Sequence, residues 1–351
     1  MSGTIFQVLG LVIGFFLLIK GANIFVDASV NIAKKLNVPS IVIGLTIVAI
    51  GTSAPEAVIS VSAAIAGANS MAIGNAIGSN LFNLMLAVGL CAVIRPIAIR
   101  LKEISRDYWV SVVAAVFLLV MKFIFNDTIP RLGALLLLCA FVVYMVVLVR
   151  QALKNKVSEA GEANAASMAG TASVANASNT ASTASTASVE YTNADKAAAK
   201  PLVKPLPKSV LFAVLGAVII VTGGQVTVNN AVSIALTLGI TERVVGLTIL
   251  AIGTSLPELV TTLVACKKGE NDMAIGNIVG SNIFNLLFVL GISGVISPLI
   301  VDNNLLLDLG VLIVASFAFF LFAYTSRRIV RFEGLSLVTM YALYMFVVIF
   351  L

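Results

Sequence analysis

Two glutamates stand in the middle of long apolar stretches, and each closes a copy of the same short motif. Glu56 ends the run AIGTSAPE, which begins at Ala49, and Glu258 ends the run AIGTSLPE, which begins at Ala251. A carboxylate within a membrane span is costly unless it is paired, so an acid at such a position indicates a functional site. No lysine or arginine recurs at a matched position to neutralise either glutamate. The missing partner is therefore predicted to be a bound cation.

Each motif also interrupts the helix that carries it. Pro55 and Pro257 have no N–H, so the carbonyls of Gly51 and Gly253 are expected to lose their helical partners. Freed carbonyls at membrane depth are tolerated where they line a polar cavity or a site. The same motifs add four hydroxyl groups, those of Thr52, Ser53, Thr254 and Ser255.

A second repeated element, GNAIGSNLFN and GNIVGSNIFN, follows each motif. It contributes Ser79, Asn83, Ser281 and Asn285. Ser79 and Asn83 are four residues apart and so lie on one helical face. Every candidate ligand is an oxygen atom and two are carboxylates, which suits hard ions such as Ca²⁺ or Na⁺ and gives little to zinc or copper. Hydroxyls and amides also join neighbouring helices, and that structural alternative stays open for each of them. The glycines at 74, 78, 276 and 280 are expected to allow close helix packing.

The composition is that of an integral membrane protein. The 351 residues are 60% hydrophobic and 11% charged, against roughly 25% charged residues in soluble domains. Histidine is absent, which excludes histidine-based metal sites and proton relays, and the three cysteines fit neither a disulfide framework nor a metal motif. No catalytic pair is evident, so an enzyme is not expected.

Segments long enough to cross the bilayer need about 20 mostly apolar residues. Ten candidates meet this rule: 4–32, 38–66, 70–94, 107–125, 131–150, 209–236, 242–266, 272–296, 305–325 and 335–351. Span one carries two charges, Lys20 and Asp27, which are seven residues apart and so lie on roughly the same face.

Basic residues separate the two sides of the membrane. They accumulate in the connections after the odd-numbered spans, whereas the even-numbered connections hold only Lys122, Arg131 and Arg243. Positive residues mark the cytoplasmic side, so both termini are predicted to lie outside a plasma membrane, the inner membrane in a bacterium. Topology thus explains the net charge of +6, and no nucleic-acid partner is expected.

The chain is predicted to have two membrane halves joined by a tether. Residues 154–207 are mostly Ala, Ser, Thr, Asn and Gly, a composition that cannot bury enough apolar surface to fold. We interpret this segment as a flexible, low-complexity cytoplasmic linker between a first half, 1–153, and a second half, 208–351.

The halves are related by an internal repeat. Shifted by 202 residues, the segment that begins at Ala49 aligns without gaps with the one that begins at Ala251, and most positions are identical. Each half contains five spans, and an odd number reverses the orientation of the second half, as in many secondary transporters. The predicted fold is an all-α membrane protein with ten transmembrane helices in two inverted five-helix repeats.

These motifs resemble the alpha-repeats of the sodium/calcium exchanger family, within the calcium/cation antiporter superfamily. The resemblance covers both halves and leaves out the linker, as in bacterial-type members without a large regulatory loop. It implies a secondary antiporter that extrudes Ca²⁺ in exchange for Na⁺ by alternating access, with no cofactor and no obligate protein partner beyond the lipid bilayer. It also implies that spans one and six slide across the remaining helices.

The resemblance implies a set of oxygen ligands at the midplane. Glu56 and Glu258 would be shared by the two ions. Further oxygens would come from Thr52, Ser53, Thr254, Ser255, Ser79, Ser281 and the backbone carbonyls of Ala49 and Ala251. Asn83 would be a polar neighbour of the central site.

One position departs from the family pattern. Many sodium/calcium exchangers carry an aspartate where this chain has Asn285, so only two carboxylates face the ions here. An H⁺/Ca²⁺ antiporter of the same fold, or one for another divalent cation, stays the main alternative, since protons could bind the same glutamates. The pattern GTS.PE favours sodium, because proton-coupled relatives typically have GN…E there. A cation channel is a more distant alternative, since channels more often build one pore between subunits.

Overall fold

The computed structural model describes residues 2–177, 205–239, 251–301 and 303–350, in which every long element is a helix. The first half contains α1 Ser2–Leu36, α2 Ser40–Ile43, α3 Ala49–Thr52, α4 Ala54–Ile65, α5 Asn69–Leu81, α6 Val88–Ile94, α7 Leu101–Ile124 and α8 Arg131–Ala177. The second half contains α9 Leu206–Thr237, α10 Ala251–Thr254, α11 Leu256–Lys267, α12 Asn271–Ile283, α13 Leu290–Ile296, α14 Asn303–Ser326 and α15 Arg331–Phe350. Wider π-helical turns occupy Gly44–Val48, Phe82–Ala87 and Phe284–Val289.

The protein is a multi-pass integral membrane protein. In the described ranges, eight helices are long and apolar enough to cross a membrane, and the bent pair Ser40–Thr52 with Ala54–Ile65 makes a ninth when counted as one span. The predicted seventh span, 242–266, begins in residues outside those ranges. Arg243 also lies outside them. The all-helical class is therefore confirmed, and the number of ten spans stays a prediction.

The helix that carries Glu56 is broken, as the motif predicts. The break falls at Ser53, where φ is −84° and ψ is 8°, and the two helical segments meet at 50°. Pro55 lies in the first turn of α4, where a missing N–H costs no helical hydrogen bond. Ser255 has nearly the same backbone, with φ −90° and ψ 5°, between α10 and α11. The structure thus places both breaks at the serines, two residues before each proline.

Short antiparallel strands join the two halves at both ends of the helices. β1 Ile97–Ala98 pairs with β4 Arg328–Ile329, and β2 Thr128–Ile129 pairs with β3 Leu299–Ile300. In the first pair Ile97 faces Ile329, and in the second Leu299 faces Ile129. Because Ile97 and Leu299 are 202 residues apart, the two pairs are copies of one arrangement with the halves exchanged.

Glycines let helices of the second half approach the first half closely. A Cβ atom at Gly276 would lie 2.6 Å from the carbonyl oxygen of Ile41, and one at Gly280 would lie 2.7 Å from the Cα of Leu45. The predicted close packing is confirmed for these two positions. At Gly74 the nearest described atom to such a Cβ is a side-chain atom 3.9 Å away, and at Gly78 no described atom lies within 4 Å. Close packing is not seen at these two positions.

Helices α1 and α9 pack along each other over most of their length. A Cβ atom at Gly216 would lie 2.8 Å from the backbone nitrogen of Phe25, and one at Gly223 would lie 2.7 Å from that of Leu18. Such short distances need glycine, because a side chain would separate the two backbones. The pair touches the broken spans where Phe25 covers Gly51 and where Gly224 faces Pro257.

The predicted linker begins as a helix. α8 continues to Ala177, so residues 154–177 extend the last helix of the first half, and the chain has no break at residue 153. Alanine, frequent in this segment, has the highest helix propensity of all residues. The remaining linker residues 178–204 lie outside the described ranges. The flexible linker and the two domain boundaries stay predictions.

Candidate functional site

The predicted site residues lie in the protein interior. Glu56 and Glu258 have no exposed surface, and each stands in the first turn of the helix that follows a break. The π turn that holds Asn83 packs against α11 and so against the helix of Glu258, while the turn that holds Asn285 packs against α4. Side-chain exposure is below one tenth for all the predicted ligands described: Ala49, Thr52, Ser53, Glu56, Ser79, Asn83, Thr254, Ser255, Glu258, Ser281 and Asn285. Of Ala251 the structure describes only the backbone, at the start of α10.

Each glutamate accepts a hydrogen bond from the serine at the break in the other half. The hydroxyl of Ser53 donates to Glu258 Oε1 at 2.8 Å, and the hydroxyl of Ser255 donates to Glu56 Oε1 at 3.1 Å. Ser79 adds a longer bond of 3.4 Å to the same Glu56 oxygen, and its hydroxyl lies 3.0 Å from that of Ser255. Both halves are therefore needed to orient either carboxylate.

Within the part of the chain that the structure describes, the second oxygen of each carboxylate has no hydrogen-bond partner. Oε2 of Glu56 and Oε2 of Glu258 are both buried without one. Among the described residues, no lysine or arginine pairs with either glutamate. Burial of an unpaired charge costs several kcal/mol even after relaxation of its surroundings. The arrangement thus leaves two acceptor atoms that a cation can satisfy.

Two asparagines that sequence reasoning missed hold the broken helices in place. Asn75 donates to the carbonyl of Glu56 at 3.2 Å and to the hydroxyl of Ser60 at 2.9 Å. Asn277 donates to the hydroxyl of Thr262 at 2.9 Å and makes a longer bond of 3.5 Å to the carbonyl of Glu258. Both asparagines belong to the GN pair of the repeated second element, so their identity at matched positions is the signal that could have revealed them.

The same asparagines accept hydrogen bonds from the threonines of the opposite motif. Thr52 donates to Oδ1 of Asn277 at 3.2 Å, and Thr254 donates to Oδ1 of Asn75 at 3.5 Å. Thr52 also bonds back to the carbonyl of Ala49 at 3.3 Å, and the N–H of Ser53 donates to that carbonyl at 2.9 Å. The Ala49 carbonyl is thus already an acceptor within its own helix.

The two asparagines at the end of the second element differ in their surroundings. Asn285 donates from Nδ2 to the hydroxyl of Ser79 at 3.2 Å and to Oδ1 of Asn80 at 3.1 Å. Asn83, the matched residue, has no partner among the described residues at either amide atom, and neither does the hydroxyl of Ser281. Asn80, a further residue that the sequence analysis did not select, donates to the carbonyl of Asn282 at 3.1 Å. The site is therefore asymmetric although its residues are duplicated.

This arrangement can hold a hard cation. Hydrogen bonds bring the two carboxylates together with the hydroxyls of three serines and the amide of Asn285, and oxygen ligands of this kind are what Ca²⁺ takes in proteins. The described residues contain no cluster of three or more His, Cys, Asp or Glu side chains. Neutral oxygens thus supply most of the possible ligands.

Comparisons with known proteins agree with this chemistry. The family model described as sodium/calcium exchanger protein matches residues 6–150 and 208–350. The chain is 36% identical over 335 residues to the putative antiporter CaxA of Alkalimonas amylolytica, covering 94% of this chain and 93% of that protein. It is 33% identical over 344 residues to the sodium/calcium exchanger MaX1 of Methanosarcina acetivorans, covering 97% of this chain and 98% of that protein.

A solved structure extends the similarity to the fold. The sodium-calcium exchanger NCX_Mj soaked with 2.5 mM Na⁺ and 10 mM Sr²⁺ matches this chain with a TM-score of 0.75 and 29% identity, over 97% of this chain and 98% of that one. The family model covers both halves of the chain and stops at the edges of the linker. This protein belongs to the sodium/calcium exchanger family.

Proposed function

We propose that this protein is a secondary active antiporter that exchanges Na⁺ for Ca²⁺ across the membrane. One observation carries the proposal: the two fully buried glutamates, each oriented by a serine of the other half, both keep an oxygen without a partner. Membership of the exchanger family agrees with it. The two carboxylates balance one Ca²⁺ or two Na⁺ in charge.

Both ions would use the same ligands. Glu56 and Glu258 would bind either ion, and the hydroxyls and amides around them would complete the shell. The proposed contributors are Thr52, Ser53, Ser79, Asn83, Thr254, Ser255, Ser281 and Asn285, with the carbonyls of Ala49 and Ala251. Support comes from their shared hydrogen-bond network and from the unpartnered atoms of Asn83, Ser281 and Asn285.

Competition for one pair of carboxylates would couple the two fluxes. Because Ca²⁺ and Na⁺ need the same oxygens, both cannot occupy them fully at once. Exposing a carboxylate pair without a bound cation to the apolar barrier costs free energy. The site would therefore change sides only when it is loaded, which is what exchange requires.

Alternating access would follow from two inverted five-helix repeats within a ten-helix fold. The proposal is supported by the exchanged strand pairs, Ile97 with Ile329 and Leu299 with Ile129, and by the matching breaks at Ser53 and Ser255. The repeats would be residues 1–153 and 208–351, joined by 154–207. The closely packed α1 and α9 are the pair expected to move against the rest.

The membrane orientation follows from one basic end of the molecule. There, Arg100 pairs with Asp272 at 3.7 Å, and the N–H of Ile99 donates to the carbonyl of Arg327 at 2.9 Å. Basic residues favour the cytoplasm, so we infer that this end, with the linker, is cytoplasmic and that both termini lie outside. In a bacterium the membrane would be the inner one.

The coupling ion can be tested directly by flux. Calcium uptake into sealed inside-out vesicles would be compared under an imposed Na⁺ gradient and an imposed pH gradient at zero potential, with Glu56→Gln beside the wild type. We expect uptake that follows the Na⁺ gradient and disappears in the variant. Uptake that follows the pH gradient alone would contradict sodium coupling, and uptake under neither gradient would contradict Ca²⁺ transport.

A further inference from the structure

An ion pair ties helix α1 to the end of helix α11. Nζ of Lys268 lies 2.7 Å from Oδ1 of Asp27 and donates to the carbonyl of Asn23 at 3.1 Å. The Asp27 side chain is 66% exposed and that of Lys268 27% exposed, so the pair is partly shielded from its surroundings. It lies at the basic end of the molecule, where the guanidinium of Arg95 approaches the neighbouring Gly269.

At the opposite end, the matched positions within the described ranges hold no such pair, although the matched turn has the same backbone conformation. With the shift of 202 residues, Asp27 matches Asn229 and Lys268 matches Ala66. The turns agree closely, because Gly67 has φ of 76° and Gly269 has φ of 81°. Asn229 instead accepts a hydrogen bond from Gln225 on its own helix, at 3.0 Å. The matched positions at the two ends thus differ in charge, while the two turns share one backbone conformation.

The two partners belong to elements that alternating access must separate. Asp27 lies on α1, which is locked to α9 by glycine contacts such as Gly216 on Phe25. Lys268 caps α11, the helix of Glu258. Any sliding of the α1–α9 pair changes the distance between these charges, and their attraction falls as the distance grows. The pair therefore stabilises the arrangement in which it is closed.

We propose that Asp27 and Lys268 form an ionic latch that opposes opening of the ion path at the basic, cytoplasmic end. The latch rests on the proposed function, since alternating access defines the motion that it opposes. Partly exposed ion pairs contribute about 0.2–1 kcal/mol, so release of the latch should raise the population of the open state about 1.4- to fivefold. The outer end, with Asn229 and Ala66, would open without this cost.

A buried serine on α1 offers a reporter that is independent of transport. Ser29 is fully buried, and its hydroxyl has no partner in the described ranges. With Ala22, Val26 and Ala33 it forms a buried stripe of helical spacing along α1. This stripe faces the core, and a thiol at position 29 becomes accessible only when α1 leaves the core.

The test is the rate at which Ser29→Cys reacts with a membrane-impermeant maleimide applied to the cytoplasmic face. The background has Cys91, Cys139 and Cys266 replaced by alanine. Asp27→Asn and Lys268→Ala copy the residues of the opposite end, and Lys267→Ala removes the same charge one residue away as a control. We expect each latch variant to raise the rate about 1.4- to fivefold, the double variant to add nothing further, and Lys267→Ala to leave the rate unchanged.

Charge exchange gives the decisive comparison. Asp27→Lys combined with Lys268→Asp should return the rate toward that of the parent, because the pair is restored with its signs reversed. Equal rates in Lys268→Ala and Lys267→Ala, or effects of the two single variants that add, would overturn the latch. Sodium-driven Ca²⁺ flux, measured on the same vesicles, tests the proposed function separately. If the parent protein showed no such flux, exchange would be contradicted, whatever the labelling rates show.

Discussion

Ser53 of the first half donates a 2.8 Å hydrogen bond to Glu258 of the second half, across 205 residues of chain. The reverse bond, from Ser255 to Glu56, is 3.1 Å long. Each bond crosses between the halves, so each carboxylate is oriented in part by the other half, although Ser79 of the first half adds a longer bond of 3.4 Å to Glu56. The duplication in the sequence thus produces one site rather than two.

Loss of a crossing hydroxyl should weaken ion binding. Hydrogen bonds to charged groups contribute about 1.5–3 kcal/mol, so Ser53→Ala is expected to lower Ca²⁺ affinity about tenfold or more. Ser255→Ala should act in the same direction on Glu56. Equilibrium Ca²⁺ binding to purified protein measures both.

Thr339→Ala serves as the control for removal of a hydroxyl, because Thr339 bonds only to its own helix on α15. It should leave Ca²⁺ affinity unchanged. In Glu258→Gln, a further Ser53→Ala should cost much less than in the wild type, since the two residues form one unit. Equal losses in both backgrounds would show that Ser53 does not act through Glu258.

The asparagines at the start of the second element should act as positioning residues. Asn277→Leu removes the bonds to Thr52, Thr262 and the Glu258 backbone and leaves buried polar groups unsatisfied, at about 1–3 kcal/mol for each. We expect weaker Ca²⁺ binding with the glutamates intact. Asn75→Leu should behave similarly, and wild-type affinity in both variants would contradict this role.

The two matched asparagines Asn285 and Asn83 should separate stability from binding. Asn285→Ala removes two donated hydrogen bonds, so its melting temperature without ions should fall by several degrees. Asn83→Ala removes an amide that has no partner and should leave the ion-free melting temperature nearly unchanged, while it lowers the stabilisation by added Ca²⁺. Equal ion-free melting temperatures for the two variants would contradict the asymmetry.

Close packing at Gly280 should make this position intolerant of a side chain. Gly280→Ala places a Cβ 2.7 Å from Leu45 Cα, and overpacking of this kind costs about 1–3 kcal/mol. The expected result is a lower yield of folded protein and a lower melting temperature. Gly310→Ala is the control, because no described atom lies within 4 Å of its Cβ position, and it should be neutral or stabilising.

The sequence indicated the candidate site residues and the helix breaks more readily than the contacts that hold them. Intramembrane acids and interrupted helices are local features, so Glu56, Glu258 and the two breaks could be read from residue type and spacing. The crossing bonds could not, since they depend on how two segments 205 residues apart meet. Asn75 and Asn277 went unrecognised because an asparagine on a helix gives no local sign of its partner.

The fold shows the same limit. Span positions follow from apolar length, and α5 and α12 begin within a residue of the predicted starts at 70 and 272. The π turns at Phe82–Ala87 and Phe284–Val289 were not foreseen, because an extra residue in a helical turn is decided by packing. Low apolar content predicts a flexible chain from residue 154, whereas α8 continues to Ala177, because an alanine-rich segment can be helical without an apolar face.

The central claim, that one pair of glutamates serves both ions, is tested most directly by equilibrium competition. Ca²⁺ binding to the purified protein would be titrated at increasing Na⁺ in the wild type and in Glu56→Gln and Glu258→Gln. The account predicts that Na⁺ raises the apparent Kd for Ca²⁺ without changing the number of sites, and that either variant loses high-affinity binding. Binding that is indifferent to Na⁺, or that survives in both variants, would contradict it.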